Sequence, residues 1–210
     1  MANCLIFTSY LEYPERISLQ KKYFDYIICA DGGYIIAEQL GFKPNLIIGD
    51  FDSSNPPRIA DAFVVTLSKE KDITDTEAAV KKACEMGFTD ITILGGTGGR
   101  LDHTLGNIGL LDKYNSPGRS ISLLSYQNYV FLIENTTISI RKNDFKYLSV
   151  ISHSNISTGV FIRGVKYPLS HADLTNSTTL GISNEITDEK AIIKVTNGKL
   201  LVILSKDIDK

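Results

Sequence analysis

The chain changes character at Ser116-Pro117-Gly118, and that break limits the folds open to it more than any other feature. Before it, short apolar runs read as buried strands: Cys4 to Phe7, Tyr26 to Ala30, Leu46 to Ile48, Phe63 to Leu67 and Ile91 to Leu94. Helical patterns fall between them. Thr74 to Met86 opens on the capping-box pair Thr74 and Glu77, carries Ala78, Ala79, Val80 and Ala83, and stops at Gly87. Leu101 to Tyr114 sets Leu101, Leu105, Ile108 and Leu111 at helical spacing. Such alternation predicts an α/β domain, a mostly parallel sheet with flanking helices in three α/β/α layers.

Past the break the helical period vanishes and strand follows strand. Ile121 to Ser125 reads as a last strand of the first sheet. Tyr129 to Ile133, Thr137 to Ile140, Leu148 to Ile151, Gly159 to Ile162 and Lys190 to Val195 come after it. Asn197-Gly198, between two apolar runs, predicts a type I′ hairpin. The expected organisation is an α/β domain over 1–126 and a C-terminal all-β sandwich or barrel over 127–210.

A formal charge of −2 and the lack of a long basic run argue against a nucleic-acid surface. No segment approaches the ~20 apolar residues that span a bilayer. Cys4, Cys29 and Cys84 form no CxxC pair and read as small buried hydrophobes, in keeping with a reducing cytoplasm. We therefore expect no export and no membrane anchor.

Four acidic or glycine-rich segments stand directly behind apolar runs, where an open parallel sheet binds its ligands. In the turn after Leu46-Ile-Ile-Gly49, Asp50 and Asp52 flank Phe51, and extended backbone would send both carboxylates to one side, as a hard cation requires. Gly, Asp and Ser are also ordinary turn formers. Asp31, before Gly32-Gly33, reads either as a helix N-cap or as a ligand for metal or ribose, with the glycines admitting a phosphate to a helix N-terminus. Asp72, Thr74, Asp75 and Glu77 surround a helix start, with more acid than a cap needs. Their repulsion calls for a cation, either Lys71 or, as the stronger candidate, magnesium. Gly95-Gly96-Thr97-Gly98-Gly99 is neither a Walker A loop nor a dinucleotide fingerprint, yet its amides suit an anion. Arg100 adds a phosphate donor, and Asp102 a group to orient it. His103, sharing a face with Asn107, reads as a structural residue or one behind the reacting groups.

Assembled, these residues make the chain resemble the bacterial type of thiamine pyrophosphokinase. The first half rests on Ala30-Asp-Gly-Gly33, Pro44-Asn-Leu-Ile-Ile-Gly-Asp-Phe-Asp-Ser53, Lys71-Asp-Ile-Thr-Asp-Thr-Glu77 and Leu94-Gly-Gly-Thr-Gly-Gly-Arg-Leu-Asp-His103. The second rests on Gly164-Val-Lys-Tyr-Pro-Leu169, Gly181-Ile-Ser-Asn-Glu185 and Asn197-Gly-Lys-Leu-Leu-Val-Ile203. The resemblance implies transfer of pyrophosphate from ATP to the hydroxyl of thiamine, with magnesium-dependent attack at the β-phosphorus, giving thiamine diphosphate and AMP. It implies a homodimer with thiamine between subunits, and a thiamine-binding C-terminal domain. Asp50, Asp52 and Asp75 would hold magnesium, Arg100 would meet phosphate, and Asp31 and Asp102 would line the site. Ser183 and Asn184 would touch thiamine, and Asp75 or Asp102 would accept its hydroxyl proton. One departure stands out. The chain has no tryptophan, which some relatives set against thiamine; Tyr167 or Phe161 could complete that wall, though both read more readily as ordinary core or surface aromatics. An ATP-dependent kinase of another small alcohol, or a non-catalytic thiamine or nucleotide binder, is the alternative reading.

Overall fold

A computed structural model describes residues 2–52 and 57–208, so Ser53 of the second motif lies outside the described residues. The chain divides into two compact units, Met1–Tyr126 and Gln127–Lys210.

The first unit contains β1 (Asn3–Phe7), β2 (Tyr26–Ala30), α1 (Gly33–Gln39), β3 (Leu46–Gly49), β4 (Phe63–Thr66), α2 (Asp75–Glu85), β5 (Asp90–Leu94), α3 (Leu101–Tyr114) and β6 (Ser120–Leu124). Its strands run in the order β4-β3-β2-β1-β5-β6, every pair parallel. Successive side chains of a strand point to opposite faces. Leu5, Phe7, Ile27, Cys29 and Ile47 pack on one face with Ala37 of α1. The alternate residues Cys4, Ile6 and Ile28 are equally buried, on the side that α2 covers with Ala79, Val80 and Ala83. Gly33 lets α1 lie directly on β1, since a Cβ there would meet the Phe7 carbonyl oxygen at 2.3 Å.

Helix α2 begins as expected: the Thr74 hydroxyl accepts from the Glu77 amide at 3.1 Å. The reciprocal half of the capping box is not made, because the Glu77 carboxylate bonds Lys113 and Tyr114 instead. Two other expectations are corrected. Strand β4 is exposed along its whole length, Phe63 by 74%, because it ends the sheet beyond the reach of the helices that cover the faces of β1, β2 and β3. The apolar stripe of α3 is buried only at its C-terminal end, through Leu110 and Leu111, while Leu101 and Leu105 face outward.

The second unit contains β7 (Asn128–Glu134), β8 (Thr137–Arg141), β9 (Tyr147–Ser152), β10 (Ile156–Arg163), β11 (Leu169–Thr175), β12 (Lys190–Lys194) and β13 (Lys199–Ser205). They form two antiparallel sheets, β7-β13-β9 and β11-β10-β12-β8. One core unites them, with Leu148, Val150, Leu200 and Val202 from the first sheet and Val160, Ile162, Leu174 and Ile193 from the second. This is a sandwich. The Asn197-Gly198 hairpin is overturned: β12 pairs with β10 and β8, whereas β13 pairs with β7 and β9, so the chain changes sheets there. Gly198 (φ 108°) is required by contact rather than by a hairpin, because a Cβ would meet the Ile156 carbonyl oxygen at 3.0 Å.

Candidate active site

In the order β4-β3-β2-β1-β5-β6, the chain steps outward from β1 through β2, β3 and β4 on one side and then crosses to β5 and β6 on the other, making the β1/β5 boundary the topological switch point where such sheets bind ligands. The segments following β1, β2, β3 and β5 all emerge at this end, as does the approach to α2. Two cavities open there, of about 500 and 520 Å³.

The first is acidic. Asp31, Asp50, Asp52, Thr74, Asp75 and Arg100 all line it, so side chains scattered over seventy positions of sequence do converge. The route by which Asp50 and Asp52 get there differs from the expectation. Phe51 is left-handed (φ 48°), not extended: its ring enters the core, and the turn is closed by the Asp52 amide donating to Asp50 Oδ1 at 3.2 Å. Asp31 is left-handed too (φ 47°), and it does not cap α1; Gly32 holds the N-cap position with no side-chain cap. Gly49 permits the close approach of these turns, since a Cβ would lie 2.9 Å from the Asp31 Cα.

Between the carboxylates stands Lys71. Its ammonium donates to Asp50 Oδ2 and lies 3.1 Å from Asp75 Oδ1, with the three side chains only 15, 17 and 21% exposed. The hydrogen bond from Lys71 holds the Asp50 carboxyl below the usual range. Asp75 responds oppositely: burial raises its pKa, the Lys71 charge falling short of offsetting that and the repulsion from Asp50 and Asp31 adding to it. Burial works against the Lys71 charge, and the two carboxylates more than offset it, so the lysine pKa lies above its ordinary value. Asp75 Oδ1 is buried, and the group it faces is the Lys71 ammonium. Among the described residues, no three His, Cys, Asp or Glu groups form a ready metal cage.

The second cavity lies between the tails of β1 and β5. Thr8, Ser9 and Tyr10 form one wall, and Gly96, Gly98 and Arg100 another. The Thr8 amide ties the tails together by donating to the Leu94 carbonyl at 3.1 Å; within the β1 tail Thr8 Oγ1 donates to the Tyr10 carbonyl at 2.8 Å, and Asn107 Nδ2 of α3 donates to the Gly96 carbonyl at 2.9 Å. Gly95 (φ 90°) has no room for a side chain, its Cβ position lying 2.3 Å from both the Tyr10 carbonyl oxygen and Thr8 Oγ1. Thr97 is buried, and its hydroxyl has no partner among the described residues. Arg100 grips Asp102 through two hydrogen bonds, Nε to Oδ1 at 3.1 Å and Nη2 to Oδ2 at 2.5 Å, which hold the Asp102 carboxyl below its ordinary pKa. His103 is exposed and lines both cavities together with Ser9, Thr76 and Arg100.

In the second unit, Gly181 to Glu185 runs beside β9 and 166–167. The Leu148 and Asn184 backbones exchange hydrogen bonds of 2.8 and 3.0 Å. Asn184 is buried, and its amide clamps the main chain of Tyr167, Oδ1 accepting from the amide at 2.9 Å and Nδ2 donating to the carbonyl at 2.7 Å. Ser183, left-handed (φ 59°), holds its side chain outward while its amide donates to Ser149 Oγ at 3.0 Å.

A family model for the catalytic domain of thiamin pyrophosphokinase matches residues 19–123, and one for the vitamin B1 binding domain of thiamin pyrophosphokinase matches 135–200. Thiamine pyrophosphokinase of Bacillus subtilis (strain 168) is 35% identical over 187 residues, 86% of this chain and 87% of that protein. The chain belongs to the thiamin pyrophosphokinase family. A crystal structure of the Bacillus subtilis protein superimposes with a TM-score of 0.87 at 32% identity, covering 98% of this chain and 100% of that one. The thiamin pyrophosphokinase of Geobacillus thermodenitrificans follows at 0.84 and 30%, covering 99% of this chain and 98% of that one. Both units of the fold thus have counterparts in the thiamin pyrophosphokinase family, and the chain is an enzyme.

Reading the sequence alone passes over Thr8, Ser9 and Tyr10, because the segment after β1 carries no acid-glycine cluster. Its position behind the first strand of a parallel sheet is the signal that marks it. Lys71 is named there only as a second choice of cation, and nothing local tells its direction from that of Lys69.

Proposed function

We infer that this thiamin pyrophosphokinase family member makes thiamine diphosphate by moving the pyrophosphoryl group of ATP onto the hydroxyl of thiamine, releasing AMP. The oxygen of the alcohol attacks the β-phosphorus, the bond from that phosphorus to the α-phosphate bridge breaks, and AMP leaves with the bridging electrons. The hydroxyl proton passes to a carboxylate. Asp75 suits that role better than Asp102, whose carboxylate is engaged with Arg100 on both oxygens.

The oxygen donors of Asp50, Asp52 and Asp75 fit magnesium. All three line the acidic cavity, and the buried Asp75 Oδ1 already faces a cation, the Lys71 ammonium 3.1 Å away. Lack of a ready three-carboxylate cage is compatible with this ion, which usually keeps waters and shares one or two carboxylates with substrate phosphates. When bound, it would neutralise charge on the triphosphate. The chain does the rest: Arg100 and the amides of Gly95 to Gly98 face the phosphates, while Asp31 with Gly32-Gly33 and Thr74 border the nucleotide. We assign 1–126 to ATP and magnesium, 127–210 to thiamine through Ser183, with Asn184 holding that segment against Tyr167 rather than touching the ligand, and the working form to a homodimer with thiamine at the subunit interface. The cytoplasm is the compartment this reading assigns; no described helix is long and apolar enough to cross a membrane.

The single observation carrying this reading is the convergence of Asp31, Asp50, Asp52 and Asp75 at one cavity in a chain with both family segments. Product analysis tests it: AMP should accumulate in step with thiamine diphosphate, and only when thiamine is present. ADP as the nucleotide product would point to an ordinary kinase. Asp50→Asn should remove most turnover while leaving cooperative unfolding intact. Undiminished turnover at saturating magnesium and ATP would remove Asp50 from the metal site.

A further inference from the structure

Lys71 is placed where a cation between carboxylates would stand. It approaches α2 from the loop before it, contacts Asp50 on the β3 turn and Asp75 in the first turn of α2, and is itself 15% exposed. Two carboxylates on separate elements would repel across this gap, and isolated buried charge is costly. Lys69 and Arg100 also line the cavity, but no ion pair links Lys69 to these acids among the described residues, and Arg100 is bound to Asp102. The ammonium therefore faces two of the oxygen donors that the metal would use.

We propose that Lys71 is a built-in stand-in for the divalent cation, holding Asp50 and Asp75 together in the metal-free enzyme and yielding its place when metal binds. The inference rests on the metal role given to these aspartates above. Exchange of one cation for another keeps both carboxylates paired throughout, so the β3 turn and the start of α2 remain docked whether or not metal is present. It also weakens metal binding to the empty enzyme, because the ammonium must first be displaced.

Manganese titrated into nucleotide-free enzyme, followed by electron paramagnetic resonance, is the direct probe. Lys71→Met and Lys71→Gln should bind Mn²⁺ about tenfold more tightly than wild type, ~1.4 kcal/mol. Both should also melt at a lower temperature without metal and regain much of the difference when Mn²⁺ is added. Equal or weaker Mn²⁺ affinity in the variants overturns the stand-in role. Failure of wild type to bind Mn²⁺ while it still forms AMP and thiamine diphosphate overturns it too, yet leaves the proposed reaction in place; loss of both binding and reaction sinks both. Should neither variant fold, wild type alone decides. Its Lys71 ammonium protons, followed by NMR, should exchange slowly with water before Mg²⁺ is added and rapidly afterwards. No change at saturating Mg²⁺ counts against the proposal.

Discussion

Asn184 and Ser183 are neighbours in one motif, yet their environments give them opposite experimental signatures. The Asn184 amide is buried and bonded to both polar groups of the Tyr167 main chain, so Asn184→Ala strands a donor and an acceptor and should cost about 1–3 kcal/mol in urea unfolding. Ser183 points outward, and Ser183→Ala should leave the unfolding midpoint unmoved while raising the KM for thiamine more than that for ATP. A rise confined to ATP would displace the thiamine pocket from this segment. The same contrast between name and surroundings governs the acids. Asp50 and Asp75 both meet Lys71, yet one titrates low because the hydrogen bond prevails and the other high because burial does. Residue type and spacing were enough to nominate these positions as site candidates. They said nothing of which oxygen faces solvent, lysine or backbone, since that depends on how separate segments fold together, as when Lys71 meets Asp50 from 21 positions away and Asn184 meets Tyr167 from 17.

Among elements, the helices and strands of the first unit lie close to where periodicity puts them, because apolar spacing and caps are local properties. Thr74 and Gly87 mark both ends of α2 unaided. The failures occur where the neighbouring element decides. Val64 and Val65 have the composition of a buried strand, but β4 has a partner only on the β3 side. Strand β11, Leu169–Thr175, goes unnoticed because Leu174 is its one buried residue and its alternation is confined to Ala172–Thr175. Asn197-Gly198 has hairpin chemistry but joins two sheets, since β13 finds better pairing between β7 and β9. Replacement by alanine separates conformation from contact. Both Gly198 (φ 108°) and Gly118 (φ 86°) are left-handed or nearby, but only Gly198 has backbone within 3.0 Å of its would-be Cβ. Each should lose about 1–3 kcal/mol from backbone strain. Gly198→Ala should lose clearly more, and equal losses in urea melts would refute the contact explanation.

At the scale of the whole molecule, the cysteines report on the integrity of the first core. Cys4 and Cys29 are fully buried on opposite faces of the parallel sheet, and Cys84 lies on α2, all three as free thiols. Burial pushes the Cys4 thiol up to about 12 and that of Cys29 higher still, from an ordinary 9.0. A raised folded-state pKa means that the unfolded chain releases these protons first as pH rises. Their contribution to stability is whole below about pH 9 and is lost as pH climbs toward the folded values. The urea midpoint should therefore fall between about pH 8 and about pH 10.5, and less steeply in Cys29→Ala. An unaltered slope in that variant would place the alkaline sensitivity elsewhere. In native protein near neutral pH, a thiol reagent should label Cys4 and Cys29 only at the rate of unfolding.

By itself, the sequence determined the order of elements apart from β11, the switch from α/β to all-β after Gly118, and the stationing of acids and glycines behind strands. Each is carried by neighbours in the chain: apolar period, cap, turn residue. Tertiary structure alone decided that β1 lies at the switch point, that Tyr10 and the glycine loop face one cavity, that β12 and β13 part company, and that Lys71 sits between Asp50 and Asp75. Those outcomes depend on strand pairing and on the balance of desolvation against charge, free energies set by groups far apart in sequence. No local pattern encodes them.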